Sequence, residues 1–265
     1  MPENSAIAPT SSHPDRHPGA CILVLNRLLP NPLPKWPFFL INAINILAIF
    51  IAIVAALLLG YYPKHFMDEG QPLTFLSTAE LLFISLLCGM IFARRKAQYR
   101  AKSFWRSPAF IWVLLSVGFL FLACDELFSI HEGLDRTIHY QLDIDRTDLT
   151  DRLDDLILVA YLAVFFLAVY WGRKELKCYR QLLPLFQSGI ALTGAMIFFD
   201  ALSHTTDIIT SPVLYEWLNA LEDSLKLIAV GLLLSLAYYC LQVAKLPVSN
   251  VRDRENLSPK NGKES

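Results

Sequence analysis

The sequence predicts an all-α fold, a polytopic integral membrane helix bundle of about six transmembrane helices with both termini inside (N-in/C-in). Three observations predict it. Six apolar runs, at 38–62, 73–93, 108–132, 155–172, 182–204 and 221–244, approach the length a bilayer requires. About 20 residues rising about 1.5 Å each cross a hydrocarbon core of about 30 Å. Lysine and arginine gather in alternate loops between those runs. Finally, 54% of the 265 residues are hydrophobic and the mean hydropathy is +0.42, above the level of an ordinary soluble domain.

The elements follow in order. Residues 1–37 read as a disordered arm and an interfacial segment: 1–20 are rich in Pro, Ser and His, and the apolar stretch at 21–29 is broken by Asn26 and Arg27 and suits the interface rather than a span. The first run is long enough to cross, so a cleaved signal peptide is not expected. The second run carries Glu80. The third opens on Ser107 as N-cap and Pro108 at the first helical position, where a missing N–H is harmless. Between the third and fourth runs, 143–155 is dense in aspartate. Its D-x-D start suggests a calcium loop, but Asp148 stands where the sharp-turn glycine belongs, so a solvated acidic loop capped at Thr150 or Asp151 is the reading. The fifth run ends on Asp200 and His204, the sixth opens on Glu222, Asp223 and Lys226, and 246–265 reads as a disordered cytoplasmic tail behind a transmembrane domain at 38–245. Trp36, Trp105, Trp171 and Trp217 stand at run ends, where aromatic belts belong. His65 and His139 fall in outer loops and are expected to be solvated.

Loop charges set the direction. Arg94, Arg95, Lys96, Arg100, Lys102 and Arg106 lie between the second and third runs, Arg173, Lys174, Lys177 and Arg180 between the fourth and fifth, and Lys245, Arg252 and Arg254 follow the last. These loops are expected to face the cytoplasm, at the inner membrane if the host is bacterial. The net charge of −1 gives no reason to expect a nucleic-acid partner. Five cysteines without C-x-x-C spacing predict neither a disulfide framework nor a zinc finger.

Ionisable residues within a span cost roughly 2.5–3.5 kcal/mol at mid-bilayer, so each asks for a reason. Counted at about 1.5 Å per residue, Asp125 and Asp200 rise about 25 and about 27 Å from the inner boundary, and Glu80 lies about 10 Å below the outer one. Glu222 is close to that same face. Four helices are thus expected to bring their acids to the outer, periplasmic third of the membrane. Asp200, His204 and Asp207 share a helix stripe, as do Asp125, Ser129 and Glu132. His131 lies about 120° away from Asp125 and joins it only if the helix loosens near Gly133.

The segment DELFSIHE, from Asp125 to Glu132, resembles a D-E-x4-H-E signature of uncharacterised bacterial polytopic membrane proteins. The resemblance covers one helix end and implies no activity.

The leading expectation is a divalent-metal site, zinc or a di-iron or di-manganese pair, with Glu80, Asp125, His131, Asp200, His204 and Glu222 as ligands. Ferritin-like bundles use a similar ligand count, but with E-x-x-H spacing that is missing here. Glu126 and Glu132 would then be the general bases of a hydrolase-type enzyme acting on a lipid or other membrane-associated substrate delivered through the bilayer. The alternative is a proton- or cation-coupled transporter or sensor using the same acids. A third is a non-catalytic membrane partner subunit. A haem held by His131 and His204 needs one imidazole from each of two helices, but the surrounding acids disfavour it. The structural reading pairs Glu222 with Lys226 at i, i+4 and gives Asp223 to a helix N-terminus.

Overall fold

The computed structural model describes residues 34–67, 70–99, 105, 107–142, 153–203 and 211–245; among them the fold is all-α, without a strand. Residues 1–33 of the terminal arm, the tail, residues 143–152 of the acidic loop, His204 and Asp207 lie outside the described residues.

Helix α1, Trp36–Leu59, carries Pro37 in its first turn and ends at Gly60, whose φ of 74° is open to a residue without Cβ. There the Gly60 N–H returns to Leu57 O and the Tyr61 N–H to Ala56 O, a Schellman end. A 3₁₀ turn, Pro63–Phe66, leads to α2, Pro72–Tyr99. Ser107 caps the next turn, Pro108–Phe110, by accepting from the Ala109 N–H, as expected from the sequence. Then come α3, Ile111–Phe128; α4, Ile130–Leu142; α5, Leu153–Trp171; and the short α6, Arg173–Leu176. A 3₁₀ segment, Lys177–Leu182, joins α6 to α7, Leu183–Ser203, and α8, Pro212–Ala244, closes the described chain.

Among the described residues, five helical stretches are long and apolar enough to cross a membrane: Trp36–Leu59, Pro72–Tyr99, Pro108–Phe128, Arg173–Leu202 and Val213–Ala244. The fourth expected span corresponds to α5, whose 19 residues rise about 28 Å and include the shorter apolar stretch Val159–Trp171. Three boundaries differ from expectation. Helix α2 runs on through Arg94, Arg95 and Lys96, so those cations are helical rather than in a loop. The third run is broken at Ser129, which takes a left-handed conformation (φ 50°, ψ 48°). The last helix begins at Pro212 rather than near Leu221, which places Glu222 and Asp223 well inside it.

Helix α8 is the hub, packed on α7, α2 and α1, while α2 also carries α3. Helix α5 touches α3 and α4 more lightly. Ile84, Ile91, Trp112, Phe119, Val230 and Leu241 belong to the main apolar core. Since lipid is as apolar as leucine, close packing and interhelical hydrogen bonds must hold such helices together. The crossing of α2 and α3 shows both. Ser85 Oγ donates to Ser116 O at 2.7 Å, and Ser116 Oγ donates back to Ser85 O at 2.8 Å. The outward faces are apolar, as at Phe50 and Leu58 of α1 and Phe198 of α7, which suits contact with acyl chains.

Candidate functional site

A buried polar layer joins α1, α2, α3 and α8. Its first half centres on Glu80, buried on α2, whose Oε2 accepts from Asn45 Nδ2 of α1 at 3.1 Å. Asn45 is fully buried, and the same amide nitrogen donates to Leu227 O of α8 at 3.1 Å. Asn45 Oδ1, equally buried, has no hydrogen-bond partner among the described residues. The second half lies one helical turn away, where Ser77 of α2 donates to Glu126 Oε1 of α3 at 2.9 Å. That oxygen also receives Lys226 Nζ from α8 at 3.0 Å, and Lys226 reaches Asp223 Oδ1 at 3.2 Å. Lys226 is therefore committed to Glu126 and Asp223, and the expected pairing with Glu222 is not made. Asp223 lies three turns inside α8 and serves this ion pair rather than the helix end.

Close approach makes the layer. At Gly231 of α8 a Cβ would fall 2.3 Å from Asn45 Nδ2, so only glycine lets α1 settle there. Beside Glu80 and Lys226, an apolar cluster of Ala52, Met67, Leu73, Ala220 and Leu227 fills the space under the 3₁₀ turn. Met67 is buried within it, with Ser224 Oγ 3.8 Å from its sulfur.

Asp125 is occupied differently. The left-handed Ser129 turns the chain so that His131 N donates to Asp125 Oδ1 at 2.8 Å, while His131 Nδ1 stands 3.1 Å from Oδ2. Asp125 thus fastens the start of α4 in the manner of an N-cap. The loosening that His131 needs does occur, but at Ser129, four residues before the glycine expected to provide it.

At the other end of α2 lies a buried cluster that sequence reasoning missed. Arg95 Nε donates to Glu175 Oε1 of α6 at 2.6 Å, with both side chains almost wholly buried. Tyr99 donates its hydroxyl to Glu175 Oε2, and Trp112 Nε1 lies 3.4 Å from Oε1. Gln98 accepts from Arg95 and donates to Ala244 O at the end of α8. By sequence alone Arg95 is expected to be one more loop cation and Glu175 is passed over; an acid set between Lys174 and Lys177 is the signal that could have found the cluster.

Asp200 on α7 and Glu222 on α8 are half-buried and each has partners of its own. Glu132 lies on α4, and His204 falls outside the described residues. No group of three or more His, Cys, Asp or Glu side chains that could hold a metal ion occurs among the described residues. Two smaller expectations are corrected: His139 is buried on α4 rather than solvated, and Cys178 is disulfide-bonded.

The family described as Domain of unknown function (DUF8692) matches residues 43–242, which takes in the polar layer and the side chains of Arg95, Gln98, Tyr99, Trp112 and Glu175. No curated protein and no solved structure matches the chain.

Proposed function

This chain belongs to the family described as Domain of unknown function (DUF8692), and we propose that it is a proton-coupled integral membrane transporter or sensor whose working group is the Glu80 carboxyl. One observation carries the reading. Glu80 is buried among apolar helices with a single amide donor among the described residues, and the cation of the same layer, Lys226, is already held by Glu126 and Asp223. A carboxylate in such surroundings lacks a counter-charge, whereas acids of this kind inside membranes mark proton sites.

The amide beside it suits both protonation states. When Glu80 is ionised, Asn45 Nδ2 donates to it, as observed. When Glu80 is protonated, its O–H can donate to Asn45 Oδ1, the buried acceptor that otherwise has no partner. Acid and amide then form a two-bond ring. Because Asn45 also holds Leu227 O, gaining or losing that second bond alters the seat of α1 on α2 and α8. Proton occupancy is thereby linked to helix position, which is the element a coupled transporter or a sensor requires. The divalent-metal and hydrolase alternative gains no support from the described residues.

The test counts protons. The full chain, reconstituted in nanodiscs and taken from acidic to alkaline medium in the presence of an indicator dye, should release about one proton more per chain than the Glu80→Gln variant. Equal release by the two proteins would remove Glu80 from the mechanism.

A further inference from the structure

The segment between α5 and α7 divides its side chains by charge. Arg173, Lys174, Lys177 and Arg180 are exposed, while Glu175, Cys178, Tyr179 and Leu182 are buried. Exposed Arg94 and Lys96 extend the basic surface on the end of α2, which the Arg95–Glu175 pair holds against α6. The one acid of the segment is thus turned inward, and its cations are left without an acid on the segment's exposed face.

Depth places this face at the headgroups. Helix α7 alone has 21 residues, rising about 32 Å, enough for the hydrocarbon core, so 173–182 lies beyond it. Exposed Trp171, Tyr170 and Trp105 stand at the same end, and the Arg173 guanidinium lies 4.4 Å from the Tyr170 ring centroid.

We infer that Arg173, Lys174, Lys177 and Arg180 form a binding surface for anionic phospholipid headgroups, with the inward Glu175 acting as the anchor that presents them. Each cation near a negatively charged membrane surface adds to the attraction, and four on one rigid segment act together. The buried pair matters because it fixes the segment's rotation: if Glu175 were outside, it would cancel a quarter of the positive charge.

The test titrates the detergent-solubilised full chain with phosphatidylglycerol or phosphatidylcholine and reads bound lipid by native mass spectrometry. Phosphatidylglycerol should bind at least about tenfold more tightly. The quadruple variant Arg173→Gln/Lys174→Gln/Lys177→Gln/Arg180→Gln should lose that preference, and Lys174→Arg/Lys177→Arg should keep it. If the quadruple variant fails to fold, the pairs Arg173→Gln/Lys177→Gln and Lys174→Gln/Arg180→Gln should each lose part of it. Equal binding of the two lipids, a preference that survives neutralisation, or full displacement of the lipid by inorganic phosphate would overturn the assignment.

Discussion

Lys226 illustrates how far a single residue's role depends on its neighbours. Spacing alone offered Glu222, four positions earlier, yet the side chain reaches Glu126 on α3 and Asp223 on its own helix. The choice is physical: Glu126 lies in the bundle interior, where an unpaired carboxylate would be costly, and the long lysine stem can reach it. Lys226→Met should therefore destabilise the protein by about 3 kcal/mol, because two acids lose their shared cation. Adding Glu126→Gln should recover part of that loss. Thermal unfolding of the two variants in the same detergent checks both, and purely additive losses would show that the pair is not coupled. Glu80, Asp125 and Glu126 were all legible in the sequence as intramembrane acids. The uncharged donors that Glu80 and Glu126 meet were not, since Asn45 and Ser77 come from other helices, 35 and 49 positions away.

At the scale of elements, apolar length identified the spans well and their ends poorly. Helix ends depend on local backbone geometry, which hydropathy does not record. The break between α3 and α4 is an example: the apolar run continues through Ser129, but the left-handed turn there allows Asp125 to accept from His131 N. Glycine tolerates that conformation without a Cβ penalty, so Ser129→Gly should raise stability by up to about 1 kcal/mol, and a lower melting temperature would refute the account of the turn. The seat of α1 on α8 supplies a second case. A methyl at Gly231 would displace Asn45 Nδ2, so Gly231→Ala should cost about 1–3 kcal/mol by breaking its bonds to Glu80 and Leu227. In an Asn45→Ala background the same substitution should cost much less, and an equal cost in both backgrounds would mean that the clash lies elsewhere. No sequence pattern marked Gly231, because a glycine in an apolar helix shows its purpose only when the neighbouring helix is in place.

For the molecule as a whole, α2, α3 and α8 bring Glu80, Glu126, Asp223 and Lys226 into one polar layer, with α1 contributing an amide that carries no charge. Asp125, by contrast, is bonded to His131 at the start of α4. Charge counting along the chain finds acids but not which of them share a counter-ion; three-dimensional packing decides that, and it leaves Glu80 with an amide instead of a lysine. The central claim is that this carboxyl takes up and releases a proton against Asn45. Infrared difference spectroscopy of the reconstituted full chain across a pH change reads it most directly. The account predicts a carboxylic-acid carbonyl band that disappears on alkalinisation, is absent in Glu80→Gln, and shifts in Asn45→Ala; a spectrum identical in all three proteins would contradict it.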